Sequence, residues 1–431
     1  KYKNPFGKIT KTIGLSLDPK AELSSILYDH SLPISFPKKI TDLKDNFTEK
    51  ISQKEINKRL DLRGVPTLTI DPEDAKDFDD ALSIRKIKNN LYEVGVHIAD
   101  VSHYVSEKSI IDIEAQKRST STYLVDRVVP MLPEFLSNNI CSLKPSVDRL
   151  AFSVIFNIDK QGVVFDYTIK KTVIKSDFRF SYEEAEKTIT NKYGFFIDEL
   201  LVLSNISKKL KAARIKKGSI LFENSETKFR LNKKSEPIEA FYKTHLSTHS
   251  LIEEFMLLAN KTVAKHFLSF KSLVFPFLYR VHDVPDKEKI LNLSFIVKKL
   301  GYSLSFNCPK SLSFSINNLL KKTKGSPEQK MIETLVVRSM SKAVYSTKNK
   351  GHYGLGFKNY THFTSPIRRY ADLMVHRILY NIIAGSEYKN LKLDHICSHC
   401  SLMEKRSSAA ERSSINYMQV LYLKNKLGSV F

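Results

Sequence analysis

The alternation of hydrophobic and polar residues in the first half of the chain predicts β-strands. Two stretches, 81–87 and 91–99, alternate in this way on either side of a short polar turn at 88–90. Two more, 151–158 and 163–174, flank a turn that ends in glycine. Such pairs are typical of β-hairpins, and the alternation in 163–174 suits an antiparallel sheet with one buried face.

The second half of the chain has the periodicity of helices. Hydrophobic residues of the stretch 251–267 recur at helical spacing, and the stretches 327–345 and 366–384 have the same character. The stretch 393–426 is predicted to be one long helix or a broken pair of helices. This spacing gathers the hydrophobic side chains on one face of a helix. Strands followed by helices predict an α+β fold, in which a mainly antiparallel sheet is flanked by helices.

The composition indicates a folded protein with an anionic partner. Of the 431 residues, 42% are hydrophobic, and the formal net charge is +23. Such a chain can build a large core, and its charge favours nucleic acid as the partner over an anionic membrane surface. No stretch is apolar enough to span a bilayer. The four scattered cysteines favour a reducing cytoplasm as the location.

The most acidic part of this basic chain is the twelve-residue run that starts at Ile70. It contains five aspartates: Asp71, Asp74, Asp77, Asp79 and Asp80. Carboxylates at this density repel one another unless a cation lies among them, and hard oxygen ligands suit Mg²⁺ or Mn²⁺. The run therefore predicts metal-assisted cleavage of a polyanion. The alternative is a solvated acidic loop without metal.

A second candidate site is the sequence TSPIRRY at 364–370. A hydroxyl residue followed by Pro366 predicts the start of a helix, and helix N-termini bind anions. Arg368 and Arg369 would then lie in the first turn, where a guanidinium can grip a phosphate. The alternative is an ordinary capped helix with surface arginines. His362, just before it, is expected to be packed or hydrogen-bonded and not a ligand.

Two weaker signals come from paired residues on predicted helices. One carboxylate of Glu253 and Glu254 is expected to flank the core and point into a cleft, with a solvated helix face as the alternative. Cys397 and Cys400 have the spacing of zinc ligands, but no second ligand pair follows them. These cysteines are therefore expected to face the core.

Aromatic residues are scattered among these motifs, and any of them could stack on bases of a single strand. They include Tyr123, Tyr182, Phe222 and Phe363. For each of them taken alone, the alternative is a place in the core.

Taken together, the motifs resemble the ribonuclease II / ribonuclease R (RNB) family of 3′-to-5′ exoribonucleases, and within it the bacterial ribonuclease R branch. The matching segments, in family order, are IDPEDAKDFDDA (70–81), HIADVSHYV (97–105), VPMLPEFLSNNICSL (129–143), LIEEFMLLAN (251–260), YRVHDVPDKEK (279–289) and HYGLGFKNYTHFTSPIRRYADLMVHR (352–377). The resemblance implies an RNB catalytic domain that removes nucleoside 5′-monophosphates processively from single-stranded RNA. It also implies Mg²⁺, with Mn²⁺ possible in its place, no other small-molecule cofactor, no membrane partner and a monomeric chain.

The resemblance assigns the catalytic residues by motif. Asp71, Asp77 and Asp80 match acids that hold or orient the metal. Asp79 matches the aspartate most directly tied to cleavage and is also expected to bind metal. Arg368 matches an arginine that contacts the scissile phosphate.

The resemblance also implies a set of RNA-binding residues. Tyr123 matches a tyrosine that stacks on the terminal base, and Phe222 matches a phenylalanine on the other side of the stack. Glu253 matches a glutamate near the terminal nucleotide, and Glu411 matches one that contacts ribose. Arg369, beside the phosphate-binding arginine, is expected to contact RNA as well.

The resemblance divides the chain into three parts. Residues 1–45 are expected to be the remnant of an OB-type cold-shock domain with a linker, residues 46–425 the RNB domain, and residues 426–431 the start of a C-terminal OB-type barrel. Because the first residue is Lys1, the chain is expected to be a piece of a longer protein. Two alternatives to an exoribonuclease stay open: an inactive RNA-binding relative, and a nuclease directed at DNA.

Overall fold

The structure is a computed structural model that describes residues 7–9, 11–88, 90–222, 226–270, 276–386, 392–424 and 426–428. Its strands are β1 (Leu60–Asp61), β2 (Thr67–Asp71), β3 (Asp80–Lys88), β4 (Leu91–Ala99), β5 (Thr122–Tyr123), β6 (Val128–Val129), β7 (Asp148–Asp159), β8 (Val164–Lys175), β9 (Phe178–Ser181), β10 (Glu226–Leu231), β11 (Pro237–Lys243), β12 (Tyr279–Val281) and β13 (Val344–Ser346). The predicted turn at 88–90 includes Asn89, which lies outside the described residues.

The α-helices are α1 (Pro19–Asp29), α2 (Lys38–Thr41), α3 (Gln53–Ile56), α4 (Val101–Tyr104), α5 (Ile110–Arg118), α6 (Tyr182–Asn191), α7 (Ile197–Lys216), α8 (Ser247–Ser269), α9 (Lys287–Lys299), α10 (Pro309–Lys322), α11 (Gln329–Ser339), α12 (Tyr370–Ile383) and α13 (Leu393–Lys424). Short 3₁₀ turns lie at Asp42–Asn46 and Tyr353–Leu355, and a π-helical turn at Leu136–Ile140. No helix within the described ranges is both long enough and apolar enough to cross a membrane.

The main sheet has seven strands in the order β1-β8-β7-β4-β3-β2-β9. The four central pairings, from β8 to β2, are antiparallel, and the outer strands β1 and β9 pair parallel to their neighbours. The two predicted hairpins are β3–β4 and β7–β8. Helices flank this sheet, so the predicted α+β architecture with a mainly antiparallel sheet is confirmed.

The register of the sheet places the two strand ends that carry the acidic run next to each other. Because β2 and β3 are antiparallel, the end of β2 at Asp71 and the start of β3 at Asp80 lie at the same edge of the sheet. The parallel strand β9 brings Ser181 opposite Asp71, so that α6 starts next to the acids at Tyr182. The loop between Asp71 and Asp80 therefore connects two neighbouring strand ends and stays at this edge of the sheet.

A row of polar side chains crosses the sheet inside the core. His97 Nδ1 lies 2.7 Å from Ser153 Oγ, and its Nε2 lies 2.7 Å from Ser83 Oγ. Ser153 Oγ in turn lies 2.6 Å from Thr172 Oγ1. A Cβ on Gly95 would come within 2.5 Å of the His97 ring, which explains the glycine at that position. Burial lowers the pKa of His97 to about 3, so the imidazole is neutral and both of its nitrogens have partners.

Three helices form a smaller unit with a core of its own. Side chains of α9, α10 and α11 pack together around residues such as Val297, Ile316 and Val336. Ile220 belongs to the same core, and Phe222 packs against it. This three-helix unit therefore anchors the segment that follows α7.

The N-terminal segment packs against the longest helix. Leu23 and Leu27 of α1 lie in one cluster with Met403, Ala410 and Met418 of α13. The described part of residues 1–45 contains helices and no strand, so the β-structure expected of a cold-shock remnant is not seen there. The division of the chain into three parts stays a prediction.

Candidate active site

The structure brings the acids of the run together at the edge of the sheet. Asp79 is buried, with 4% of its surface exposed, and Asp71, Asp77 and Asp80 are partly buried. Burial raises the pKa of Asp71, and the nearby carboxylates of Asp80 and Asp79 raise it further. Burial also raises the pKa values of Asp77 and Asp79, and that of Asp80 to about 6. Asp74, the fifth acid, is exposed.

Two buried oxygens of this cluster have no hydrogen-bond partner. They are Asp71 Oδ2 and Asp79 Oδ2. Arg368 Nε lies 3.3 Å from the second of these oxygens as an ion pair, so the charge on Asp71 Oδ2 is the less compensated of the two. A buried carboxylate oxygen without a donor is costly unless a cation lies beside it. The donor set therefore fits a hard divalent cation. Over the described ranges, however, no three Asp, Glu, His or Cys side chains already surround a common point, so the acids offer ligands but not a finished coordination shell.

The segment TSPIRRY meets these acids as a turn and not as a helix start. The prediction that a helix begins at Ser365–Pro366 is wrong, because α12 begins at Tyr370. The backbone N–H of Ser365 donates to Asp372 Oδ1 at 2.8 Å, which holds the turn against the first turn of α12. The backbone N–H of Ile367 then donates to Asp79 Oδ1 at 2.9 Å. The acidic run and the turn thus share a direct hydrogen bond.

The two arginines of the turn have different partners. Arg368 Nε lies 3.3 Å from Asp79 Oδ2, and its side chain is 41% exposed. Arg369 Nε and Nη2 both donate to Asp372, each at 2.8 Å. Arg369 has an extended backbone, with φ −134°, so the two side chains diverge before the helix begins. Arg368 Nη2 also donates to Ser365 Oγ at 3.0 Å, but its partly exposed guanidinium remains accessible to a ligand at the acids, whereas Arg369 is bonded to Asp372 within the fold.

Tyr123 and Glu411 form a pair beside the acids. The backbone N–H of Tyr123 donates to Glu411 Oε1 at 3.2 Å, and 40% of the surface of Tyr123 is exposed. Desolvation, opposed by the Arg368 charge and assisted by the charges of Asp77 and Asp79, raises the pKa of the Tyr123 hydroxyl to about 12. Strand β5 and helix α13 therefore present an aromatic ring and a carboxylate together at one approach to the acids.

Phe222 and Glu253 lie together in a separate cleft of about 1050 Å³. Glu254 is buried and accepts from Arg214 Nε at 3.1 Å, whereas Glu253 is exposed and lies 3.4 Å from Arg214 Nη2. Of the two glutamates, Glu253 is therefore the one at the cleft. Four of the five predicted RNA-binding residues fall into two pairs, Tyr123 with Glu411 and Phe222 with Glu253. The fifth, Arg369, lies before α12 and is bonded to Asp372.

Tyr182, which the sequence pattern named only among the aromatic residues that could stack on bases, lies near the acids. Burial raises the pKa of its hydroxyl, and Asp80 and Asp71 raise it further. Its ring stacks on His249 of α8, with ring centroids 3.9 Å apart. The available signal was the Ser181–Glu184 capping box, which starts a helix directly after a strand. That signal predicts the helix start but not the parallel pairing that brings Tyr182 to the acids.

The weaker candidates are part of the core. Cys397 and Cys400 are buried, as predicted from their helix face. His362 Nδ1 lies 2.9 Å from Tyr345 Oη, which agrees with the prediction of a hydrogen-bonded histidine. Phe363 is fully buried and stacks on His376, so it cannot stack on a base.

Comparisons by sequence and by structure match this chain to the same group of known proteins. The sequence profile of the RNB domain matches residues 59–385. Ribonuclease R of Thermotoga maritima is 40% identical over all of this chain and 62% of its own length, and ribonuclease R 1 of Lactococcus lactis is 37% identical over 99% of this chain and 53% of its own length. The solved structure of Mycoplasma genitalium RNase R with ribose-methylated single-stranded RNA has a TM-score of 0.90 at 31% identity, over 97% of this chain and 66% of that one. The chain thus spans about half to two thirds of these relatives.

Proposed function

The chain belongs to the RNB domain family, and from this premise we propose that it hydrolyses single-stranded RNA from the 3′ end and releases nucleoside 5′-monophosphates. The observation that carries the proposal is the environment of Asp79. Its carboxylate is buried, receives the Ile367 N–H, and lies beside the exposed guanidinium of Arg368. An acid and a cation held together in this way suit the transfer of a charged phosphoryl group.

The side chains at the acids have complementary roles in this reaction. Arg368 can donate to non-bridging phosphate oxygens and stabilise the charge that develops on them. The Ser365–Asp372 hydrogen bond fixes the turn, so that the Arg368 backbone does not have to reorganise.

A divalent cation fits among the acids. Asp71, whose buried Oδ2 has no hydrogen-bond partner, would hold it together with Asp77, Asp79 and Asp80. Mg²⁺ is the proposed ion, with Mn²⁺ as the alternative. When bound, the cation would supply charge neutralisation and activation of water.

Two aromatic–carboxylate pairs support the choice of RNA as substrate. Tyr123 and Phe222 each offer a ring to a base, and stacking on a ring tolerates any base. Glu411 and Glu253 each offer an acceptor to a ribose 2′-hydroxyl, which DNA lacks. The proposed partner is therefore a single strand of RNA. We also propose that the chain is a monomer and acts in the cytoplasm.

Degradation of labelled RNA tests the proposal. The expected result with Mg²⁺ is immediate release of a labelled mononucleotide from 3′-labelled RNA and stepwise shortening of 5′-labelled RNA, with neither after chelation. Asp79→Asn should abolish both, whereas Asp74→Asn, at the exposed acid of the same run, should behave as wild type. RNA that is bound but uncut would indicate the inactive relative, and equal cleavage of a DNA oligomer of the same sequence would indicate a DNA nuclease.

A further inference from the structure

The acidic run crosses the edge of the sheet in a loop. The structure describes every residue of this loop, 72–79, and none of them belongs to a helix or a strand. Asp77 and Asp79 lie within it. Because fixing such a backbone costs conformational entropy, contacts from other parts of the fold have to keep these carboxylates in place. Those contacts bear directly on the cation that the acids would share.

One contact comes from Ser142, at the end of the loop that leads into β3. The Ser142 hydroxyl accepts from the backbone N–H of Phe78 at 3.0 Å and donates to the backbone carbonyl of Lys76 at 2.8 Å. These two groups belong to the peptide units on either side of Asp77. The carbonyl of Phe78 also accepts from the backbone N–H of Leu143 at 3.0 Å. A single hydroxyl thus fixes the backbone on both sides of one acid.

Ser142 is itself held in place. Its carbonyl accepts from Arg149 Nε at 2.9 Å, and both residues are buried. It belongs to the segment 129–143, one of the matching motifs, in which none of the residues assigned to catalysis or RNA binding lies. Because no surface of Ser142 is exposed, it can contact neither RNA nor a cation. Any effect of this side chain on the reaction has to pass through the loop.

The other contact comes from Arg179 on β9, at the end of the loop that follows β2. Arg179 Nη2 donates to the backbone carbonyl of Pro72 at 2.8 Å and to that of Glu73 at 2.7 Å. The guanidinium carbon also lies 5.4 Å from the centre of the Phe78 ring. The parallel pairing of β9 with β2 sets Arg179 opposite Thr69 and so brings it to this end of the loop. The loop is therefore held at both ends.

We propose that Ser142 and Arg179 are positioning residues of the metal site, which hold the loop 72–79 and thereby set the affinity of the acids for a divalent cation. The inference rests on the proposed function, since that function supplies the cation. A loop that is already ordered loses less conformational freedom when its carboxylates close on an ion. Removing a group that orients metal ligands typically weakens metal binding by about 10–100-fold.

Arg179 also carries a charge, and an effect of this charge alone would have the opposite sign. Burial and the neighbouring acids raise the pKa of Asp71, and the Arg179 charge opposes them, so the charge is felt at the acids. A positive charge repels a metal ion, so its removal alone would strengthen metal binding. Removal of a residue that holds the loop weakens metal binding instead. The direction of the change therefore separates the two roles.

Titration of the RNA-free chain with Mn²⁺ tests the inference, with the free ion followed by its electron paramagnetic resonance signal. Ser142→Ala and Arg179→Gln should each raise the Kd for Mn²⁺ by about tenfold or more. Arg179 is partly exposed, so its variant tests the inference even if Ser142→Ala does not fold. Unchanged or tighter binding of Mn²⁺ by either variant would overturn the role of that residue.

Two control variants match the losses of hydroxyl and of charge. Ser153→Ala removes a fully buried hydroxyl of the same sheet, whose two partners, His97 and Thr172, lie outside the loop. Arg85→Gln removes one positive charge from an exposed ion pair on β3. Both controls should bind Mn²⁺ within about twofold of wild type. If Ser153→Ala weakens binding as much as Ser142→Ala does, the effect is a general loss of stability and the inference is wrong.

A second arm follows the cleavage of 3′-labelled RNA at increasing Mg²⁺. In both loop variants the Mg²⁺ concentration for half-maximal rate should rise by about tenfold. The rate at saturating Mg²⁺ should stay within about threefold of wild type, since the acids themselves are unchanged. A lower saturating rate with unchanged Mg²⁺ dependence would contradict a positioning role. If wild type binds Mn²⁺ and degrades RNA but the variants bind Mn²⁺ equally well, only this inference fails; if wild type neither binds Mn²⁺ nor degrades RNA, the proposed function itself fails.

Discussion

Substitution of the two arginines by lysine should separate catalysis from stability. Arg369 makes two charge-assisted hydrogen bonds to Asp372, and a lysine can keep only one. The loss of one such bond at this partly buried site costs about 1.5–3 kcal/mol. Because a chain of 431 residues has a large unfolding entropy, Arg369→Lys should lower the unfolding midpoint by only about 2–3 °C. Arg368 faces solvent and the acids, so Arg368→Lys should leave the midpoint nearly unchanged.

Cleavage should respond in the opposite order. Arg368→Lys keeps the positive charge but loses the planar fork, and we expect single-turnover cleavage at saturating RNA to slow by about 10–100-fold. Arg369→Lys should cleave at close to the wild-type rate below its unfolding range, unless the turn at Ser365 shifts with Asp372. Unfolding curves and single-turnover rates of both variants are the measurements required. If Arg368→Lys cleaves as wild type while Arg369→Lys unfolds as wild type and does not cleave, the two roles have been assigned the wrong way round.

Three further predictions concern single side chains. Asp79→Asn should abolish hydrolysis but leave RNA affinity nearly intact, because affinity comes mainly from lysine and arginine contacts along the phosphate backbone of the RNA. Turnover by this variant within about tenfold of wild type would contradict the role of Asp79. Tyr123→Ala should lengthen the shortest end product more than it slows cleavage of long RNA, since a base stack contributes about 1–3 kcal/mol; an unchanged product ladder on a gel would argue against it. The folded protein keeps His97 neutral down to a pKa of about 3, whereas the unfolded chain protonates it below about 6.5. The contribution of neutral His97 to the free energy of unfolding is thus complete above pH 6.5 and declines as the pH falls from there toward 3. Between pH 7 and 5, the unfolding midpoint should therefore fall less steeply in His97→Gln than in wild type.

The elements that sequence predicted well are those set by local periodicity. The two hairpins and the long helices α8 and α13 follow from alternation and from helical spacing that continue over many residues. The helix predicted at 327–345 ends early, at Ser339, because residues Val344–Ser346 pair with β12. A strand of three residues that forms only by pairing with a distant segment has no local signal.

The start of α12 was mispredicted for a related reason. A serine followed by proline is a sound local signal for a helix start. Here Asp372, inside the helix, accepts the Ser365 N–H and also binds Arg369. Its carboxylate therefore holds four residues before Tyr370 outside the helix. Whether Asp372 binds both Ser365 and Arg369 depends on the folded shape of the turn, which the sequence pattern does not reveal.

The hydrogen bond between Ile367 and Asp79 joins residues 288 positions apart, and it explains why the two motifs matter together. Burial alone raises the pKa of Asp79 and favours its protonated form. The Arg368 charge and the Ile367 N–H both lower that pKa, so the turn opposes the effect of burial on this carboxylate, although its net pKa stays above the usual range. Without the turn, Asp79 would lose the two groups that favour its charged form, and without the acids Arg368 would lose its ion pair. Only a chain that closes the sheet edge against the turn before α12 has this contact, so the proposed catalysis depends on the tertiary contact and not on either motif alone.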